Sequence, residues 1–436
     1  MPAQTYFRPS RDRLEACLAR IEDPTGEGSR AFTRLYGDRA RAAADAADIR
    51  ARQGQSLGPM DGRIVSIKDL FDIAGEPTTA GSRLHLDAAP ATTEAPAIAR
   101  LRAAGAVIIG KTNMTEFAFS GVGINPHYGT PGNPADRSRI PGGSSSGGAV
   151  SVADGMAEIA IGSDTGGSTR IPAALCGIVG WKPSQYRVPT IGAFPLSYAL
   201  DSIGPMARTV ADCALADAVM AGDPISSLNA PSLAGLRLGI PRGALMDGLE
   251  PAVTTAFTKA ISALTKARAC VTDHPLPLLA DMMTVNARGG FAATEAFAIH
   301  SEMLDTRARD FDPFVLSRVE RGRTVSAADY IFMQRRRAEL IAAMDVVLAD
   351  LDALVLPTTP ITAPKISDLA SDEAAFTAAN MLLLRNTAVA NFFDLCAISL
   401  PLRSDGLPIG LMLVARNGQD RRLLRLAAAV ENGLNT

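Results

Sequence analysis

Residues 141–172, PGGSSSGGAVSVADGMAEIAIGSDTGGSTRIP, are the stretch around which we expect the fold to be organised. They contain two glycine-serine loops, at 142–148 and 164–170, which place Ser144 and Ser168 24 positions apart. Dense glycine costs conformational entropy, so it usually marks backbone that takes a positive φ or approaches another group closely. A flexible linker is the common alternative for this composition, but the segment between the loops is as apolar as a core. The stretch therefore indicates a site.

The overall composition predicts a soluble globular protein. The chain has 436 residues, of which 47% are hydrophobic, and a net charge of −2, which gives no electrostatic reason to expect nucleic acid or an anionic membrane as partner. The beginning of the chain lacks the apolar region of a secretory signal, and no apolar run is long enough to span a membrane. Five cysteines without paired spacing predict buried thiols in a reducing compartment. We therefore expect a cytoplasmic protein.

Helical and apolar strand-like segments alternate along the chain, which is typical of a layered α/β protein. Residues 10–22 and about 29–53 have helical character, whereas apolar strands are expected within 62–75 and 106–114. Composition shifts to Pro, Ser and Asn at 223–235, a candidate linker. Because neither an internal repeat nor an independent second core is visible, we expect one domain.

Three common kinds of site fit the loops poorly. Neither loop has the lysine of a phosphate-binding loop. Residues 143–147 formally match GxSxG with Ser145 as nucleophile, but that motif requires a preceding core strand and a late histidine. The residues before Gly143 cannot form such a strand, and His274 and His300 are more typical of packed or exposed residues. The four histidines also lack metal-ligand spacing, so we expect no metal and no cofactor.

Lys68 supplies a different kind of chemistry. It lies in the apolar segment SIKDLFDI, and lysine is rarely placed in a core without a reason. An edge lysine that reaches water is the alternative. If Lys68 is buried, desolvation lowers its pKa and allows it to act as a neutral base. A base, two serines and a loop of backbone N–H donors together predict an acyl-transfer site.

In this order and spacing, five segments resemble the amidase signature family. They are GRIVSIKDLFDIAG at 62–75, GKTNMTEFA at 110–118, PGGSSSGGA at 141–149, GSDTGGSTRIPAALCG at 162–177 and WKPS at 181–184. The resemblance covers most of the chain and is strongest from about residue 60 to 215.

The resemblance implies an α/β fold, with residues 1–436 forming one large domain around a mixed, mostly parallel central sheet sandwiched by helices. Within it we expect an N-terminal helical arm at about 1–55, a catalytic core at about 60–215 and a substrate-side remainder at about 223–436. The candidate linker at 223–235 then becomes a connection inside the domain.

The resemblance also assigns the site. Ser168 is the implied nucleophile, Ser144 the proton relay that follows a cis peptide bond, and Lys68 the base. The implied oxyanion hole is formed by the backbone N–H groups of Thr165, Gly166, Gly167 and Ser168. Ser145, Asp164 and Arg170 are implied as supports of the catalytic groups.

The implied activity is that of an amidase acting on a small molecule, with ester and carbamate bonds open to the same chemistry. Its pocket is expected to draw on residues 117–125, 286–300 and 328–337. The small apolar residues of 286–300 suggest an aryl or alkyl acyl group. The oligomeric state cannot be read from the sequence, and a homodimer stays open.

Two alternatives stay open beside the amidase. One is the A subunit of the tRNA-dependent amidotransferase, which works within a complex and holds glutamine through an acidic residue. By spacing, that position falls on Leu384 here, which favours a less polar substrate and the stand-alone amidase. The other is a catalytically silent binding protein, which the three filled catalytic positions make the weaker hypothesis.

Overall fold

A computed structural model of the chain describes residues 8–435, and within them eleven strands form one sheet in the order β1-β3-β2-β4-β6-β5-β10-β11-β9-β7-β8. The strands are β1 (Phe32–Leu35), β2 (Ile64–Lys68), β3 (Val107–Thr112), β4 (Ile159–Asp164), β5 (Val179–Lys182), β6 (Ser202–Ala207), β7 (Arg237–Ile240), β8 (Cys270–Asp273), β9 (Ala353–Pro357), β10 (Cys396–Leu402) and β11 (Ile409–Ala415).

Fourteen α-helices accompany the sheet in the same part of the chain. They are α1 (Ser10–Glu22), α2 (Gly28–Ala31), α3 (Gly37–Arg52), α4 (Pro96–Ala103), α5 (Ser146–Ala153), α6 (Arg170–Cys176), α7 (Val210–Ala221), α8 (Pro251–Lys266), α9 (Leu278–Asn286), α10 (Phe291–Arg307), α11 (Pro313–Glu320), α12 (Ala327–Val347), α13 (Glu373–Phe392) and α14 (Asp420–Asn435).

The sheet is buried on both faces at its centre. All five residues of β2 are buried, which is typical of a strand covered by helices on both sides. In β4, Ile159 and Ile161 belong to one apolar cluster and Ala160 to another, because successive side chains point to opposite faces of a sheet. The expected single-domain α/β fold, with a large mixed sheet between helices, is therefore confirmed.

The strand directions correct one detail of that expectation. Among the described strands, six neighbouring pairs are antiparallel and four are parallel, so the sheet is not mostly parallel. One reason is that β10 and β11 are joined by a short turn, which requires antiparallel pairing. A second is that β6 lies between β4 and β5 and runs opposite to both.

The expected helix at about 29–53 is also interrupted. The chain forms the short α2, then β1, and only then α3. Phe32 pairs with Thr112 in antiparallel fashion, so this segment completes the edge of the sheet beside β3. The edge position is a tertiary effect, and local helical propensity does not reveal it.

Two findings bear on the composition. No helix within residues 8–435 is long and apolar enough to cross a membrane. All five cysteines are free, and four are buried as expected, but Cys270 is exposed on the terminal strand β8. The expectation of uniformly buried thiols is therefore wrong at this position.

We expect Gly204→Ala to destabilise the sheet strongly. A Cβ at Gly204 would lie 2.0 Å from the carbonyl oxygen of Trp181, which is backbone of the neighbouring segment and cannot easily move aside. The free energy of unfolding in urea should fall by about 3 kcal/mol. Gly406→Ala is the matched control, because nothing lies within 4 Å of its added Cβ, and it should change stability by less than about 0.5 kcal/mol. Equal stabilities of the two variants would contradict the packing described for β6.

Candidate active site

Lys68 lies at the end of β2 and is completely buried. Its Nζ donates to the Ser144 hydroxyl at 2.7 Å and to the Ser163 hydroxyl at 2.9 Å. Burial lowers the Lys68 pKa to about 7, although the charges of Asp201 and Asp164 raise it in part. The geometry excludes an edge lysine that reaches water, and it places a readily deprotonated amine against a serine.

Two other lysines are buried, and their surroundings differ. Lys182 donates to the backbone carbonyls of Pro183 and Leu395, both at 2.9 Å. Lys111 faces the carboxylate of Asp69 at 3.7 Å. Among these three amines, the one bonded to serine hydroxyls is Lys68, and only this arrangement offers a path for a proton.

The first glycine-serine loop brings Ser144 to that amine. The peptide bond between Gly143 and Ser144 is cis, as the family resemblance implied. A Cβ at Gly143 would lie 2.7 Å from the backbone nitrogen of Gly123, so the loop packs directly against a neighbouring backbone. The Ser145 N–H donates to the Ser168 carbonyl at 3.3 Å. This contact joins the two loops next to the two predicted catalytic serines.

Residues 165–168 of the second loop connect β4 to the segment leading into α6. Within the described chain, none of their four backbone N–H groups has a hydrogen-bond acceptor. Gly167 has a φ of +141°, and a Cβ there would lie 2.2 Å from Thr387 Oγ1. The Thr387 hydroxyl donates to the Gly166 carbonyl at 2.6 Å. The loop is thus held by α13 while its N–H groups stay free to donate to a ligand.

An ion pair lies directly beneath this loop. The Arg170 guanidinium binds both carboxylate oxygens of Asp164, at 2.8 and 3.0 Å, and both side chains are fully buried. Asn391 on α13 also donates to Asp164 at 2.9 Å and accepts from Arg170 at 2.7 Å. Burial opposes ionisation of Asp164, but the charge of Arg170 holds the pKa of that carboxyl well below its usual range. Asp164 and Arg170 thus flank residues 165–168 and are bound to each other and to α13, whereas Ser145 contacts the loop through the backbone bond described above.

Asp201 is a half-buried residue whose carboxylate the sequence reasoning missed. It accepts from the Thr165 hydroxyl at 2.5 Å and from the backbone N–H groups of Leu196 and Ser197 at 3.0 and 3.1 Å. Burial raises its pKa to about 6. Its signal in the sequence was an acid immediately before the apolar strand SIGPMA, at the end of a Gly/Pro-rich loop.

A cavity of about 270 Å³ opens in front of Ser168, and Thr165 and Gly166 also line it. Residues 118–121, Asn286 and residues 289–293 contribute to its wall, as expected for the segments 117–125 and 286–300. The expected segment 328–337 contributes nothing to the wall, because Tyr330 and Arg337 of α12 pack behind Phe291 and Phe392 instead. The wall is completed by Leu384 on α13, which the sequence had singled out, and by residues that it had not, among them Met282 on α9 and Arg318 on α11.

The histidines do not supply a base for the alternative nucleophile Ser145. His274 Nε2 lies 3.0 Å from the Val347 carbonyl. His300 is buried among the rings of Phe117 and Phe311, and burial lowers its pKa to about 4. Neither histidine lines the cavity.

Comparison with known proteins gives a consistent picture. A model of the family described as Amidase matches residues 12–424. The chain is 39% identical over 413 residues to a 2-amino-5-chloromuconic acid deaminase of Comamonas testosteroni, covering 92% of this chain and 88% of the relative. It is also 39% identical over 453 residues to the A subunit of a Glutamyl-tRNA(Gln) amidotransferase from Chloroflexus aggregans, covering 96% and 91%. A solved structure described as a crystal structure of amidase superposes with a TM-score of 0.86 at 33% identity, covering 98% and 96%.

We expect Asp164→Ala to destabilise the protein by about 3–5 kcal/mol, because it leaves the buried Arg170 guanidinium without its counter-ion. Urea unfolding of the two proteins measures the difference. Glu320→Ala is the control, since it breaks a half-exposed ion pair with Arg323 and should cost less than about 1 kcal/mol. A loss below 1 kcal/mol for Asp164→Ala would show that the ion pair does not support the loop.

Proposed function

The chain belongs to the amidase family, and on this premise we propose that it hydrolyses a carbon–nitrogen amide bond of a small molecule through an acyl-enzyme on Ser168. Its relatives indicate a hydrolase that acts on C–N bonds. The observation that carries the proposal is the contact between buried Lys68 and Ser144, beside a loop of unpaired N–H groups. Ester and carbamate bonds are further candidates, because they react through the same tetrahedral chemistry.

In the proposed reaction, Lys68 is the base and Ser144 relays the proton. Neutral Lys68 accepts a proton through the Ser144 hydroxyl while Ser168 Oγ attacks the substrate carbonyl. The 2.7 Å contact and the lowered Lys68 pKa support this direction of transfer. The proton then returns through Ser144 to the leaving amine, and water hydrolyses the acyl-enzyme.

The proposed oxyanion hole is formed by the backbone N–H groups of residues 165–168. Their lack of acceptors in the described chain supports this assignment, since free donors facing a cavity suit a developing negative charge. One such donor is worth about 3 kcal/mol of transition-state stabilisation. The brace of Asp164, Arg170 and Asn391 would keep these donors in place.

The glutaminase component of an amidotransferase is the second candidate, since a relative described as the A subunit of such an enzyme matches over 96% of this chain. Leu384 lines the cavity, and no aspartate or glutamate belongs to the wall that the structure describes. An ammonium group of glutamine would therefore lack a carboxylate partner, which favours the amidase. Glutamine hydrolysis that appears only with partner subunits would support the second candidate.

Some expectations stay predictions beside the proposal. These are the division into an N-terminal arm, a catalytic core and a substrate-side remainder, the cytoplasmic location and the homodimer. Light scattering on purified protein would decide the last of them.

We expect Ser168→Ala to lower amide hydrolysis by about 10³-fold or more, because it removes the nucleophile. Lys68→Ala should lower it comparably, whereas Ser144→Ala should leave residual activity. A panel of aryl amides, aliphatic amides, carbamates and glutamine supplies the substrates, and mass spectrometry detects the acyl group on the enzyme. Full hydrolysis by Ser168→Ala would refute the mechanism.

The pH dependence should report the Lys68 titration. Only the neutral amine accepts a proton, so kcat/KM should rise with pH through about 7 and level off above it. Asp201→Asn removes a negative charge that raises the Lys68 pKa, so the midpoint should move to lower pH. Asp87→Asn, at an exposed position, should leave the midpoint unchanged. A midpoint that moves upward in Asp201→Asn would contradict the assignment of Lys68 as base.

A further inference from the structure

The carboxylate of Asp201 joins two segments beside the cavity. One of its oxygens accepts from the Thr165 hydroxyl at 2.5 Å, and the other accepts from the backbone N–H groups of Leu196 and Ser197 at 3.0 and 3.1 Å. Hydrogen bonds to a carboxylate are roughly twice as strong as those between neutral groups. Asp201 therefore connects the loop that contains Thr165 firmly to its own turn, residues 196–201.

Glu295 of α10 fixes that turn. Glu295 is 5% exposed, and one of its carboxylate oxygens accepts from the Ser197 hydroxyl and from the Ala199 N–H. The other oxygen accepts from the Tyr330 hydroxyl of α12 at 2.5 Å. The turn is thus bound to two helices, which fixes the position of Asp201 relative to them.

The loop offers few groups by which it can be held. Thr165 follows β4 directly, and the next two positions before the predicted nucleophile are glycines. Because glycine has the widest backbone freedom, a pair of glycines does not by itself fix the direction of its N–H groups. The Thr387 hydroxyl binds the Gly166 carbonyl, while Asp201 binds the Thr165 side chain. These two bonds act on successive residues of the loop.

The turn and the loop form parts of the same cavity wall. Leu196 and Leu200 of the turn line the cavity together with Thr165. Asp201 does not line the cavity, so it acts on a substrate only through the groups that it holds.

We propose that Asp201 is a positioning residue, which through the Thr165 hydroxyl directs the backbone N–H groups of residues 165–168 toward the carbonyl of the substrate. The inference rests on the proposed amide hydrolysis and adds a residue to it. Oxyanion donors act only when they lie close to the position of the developing negative charge, so a small displacement of the loop lowers the rate. A loop that is fixed before the substrate binds avoids reorganisation during the reaction.

The charge of Asp201 has a separate effect, because it raises the Lys68 pKa. That effect moves the midpoint of the pH profile, whereas positioning changes kcat at pH values where Lys68 is already neutral. The Thr165 side chain carries no charge, so substitutions of it test positioning. Assays at pH 9 lie on the plateau expected for a base whose pKa is about 7.

The kinetic test compares two substitutions of Thr165. Thr165→Val removes the hydroxyl and keeps the branched shape of the side chain. We expect kcat at pH 9 to fall about tenfold while KM stays within about twofold, because oxyanion donors act on the transition state rather than on the bound substrate. Thr165→Ser keeps the hydroxyl and should recover most of this loss. The substrate is the member of the amide and carbamate panel that the wild type hydrolyses fastest.

Thr25→Val is the matched control. The Thr25 hydroxyl also donates to an aspartate, Asp23, at 2.7 Å, but both residues are exposed and neither lines the cavity. This variant should keep the wild-type kcat, and thermal unfolding of each variant reports whether the fold is intact. Wild-type kcat in Thr165→Val, or an equal loss in Thr165→Ser, would contradict the role of the hydroxyl.

A double-mutant cycle tests whether Asp201 acts through Thr165. Asp201→Asn keeps the shape of the side chain but replaces one oxygen by an NH2 group, so it cannot accept from all three donors. We expect kcat at pH 9 to fall about tenfold, and the double variant should lose no more than about threefold beyond Asp201→Asn alone. Losses that multiply to about 100-fold would show that the two residues act independently and would overturn the proposal.

A covalent reagent makes the inference independent of amide turnover. In the reaction of Ser168 with an ethyl alkylfluorophosphonate, Oγ forms a P–O bond as the P–F bond breaks, fluoride leaves and the hydroxyl proton passes to the base. The phosphoryl oxygen then takes the place of the oxyanion. Intact-mass spectrometry measures the rate constant, which should be about tenfold lower in Thr165→Val and nearly restored in Thr165→Ser.

The outcomes separate this inference from the proposed function. If no amide is hydrolysed but Thr165→Val slows the modification of Ser168, the proposed function fails and the positioning role stands. If the wild type and Thr165→Val react at equal rates, the positioning role fails whatever the amidase activity. A wild-type Ser168 that does not react at all overturns both.

Discussion

The burial of the Lys68 amine among hydroxyl groups is the constraint on which the rest of the site depends. An ammonium ion without a directly bonded counter-ion is costly in a protein interior. The Lys68 pKa is therefore lowered to about 7, and a substantial fraction of the amine is neutral near that pH. The serine hydroxyls around it can donate or accept, and they satisfy the nitrogen in either protonation state. A carboxylate in the position of Ser144 would keep the lysine charged and remove its basicity. The wholly buried strand β2 is what carries Lys68 to this place.

A second constraint acts on the loop at 165–168. Backbone N–H groups without acceptors are rare in folded proteins. Because the N–H groups of residues 165–168 have no acceptor in the described chain, they cannot hold the loop in its conformation. It is held from outside by the Asp164–Arg170 pair and by Thr387 and Asn391 of α13. Thr387 lies 221 positions after Gly166, to which it donates, and Asn391 lies 227 positions after Asp164. The C-terminal part of the chain is therefore required to shape a loop encoded near its middle.

Sequence reasoning could locate those parts of the site that have an unusual local composition. The dense glycines located both loops, and the unusual lysine in an apolar strand located Lys68. By contrast, the edge strand β1 looked helical, since only its pairing with β3 makes it a strand. Asp201 and Arg318 were missed because each is one charged residue in an ordinary segment. Their significance comes from burial and from neighbours that the fold brings in from elsewhere.

The two cationic side chains near Ser168 differ in a way that suits different tasks. Burial lowers the Lys68 pKa to about 7, within reach of physiological pH, so this group readily gives up its charge. The same effect lowers the Arg318 pKa only to about 10, because a guanidinium starts from a much higher value and therefore stays charged. Desolvation thus makes the lysine amine readily neutral near pH 7 and leaves the arginine positively charged. An exchange of the two residue types would put a permanent charge beside the Ser144 hydroxyl and an amine that readily loses its charge in the cavity wall.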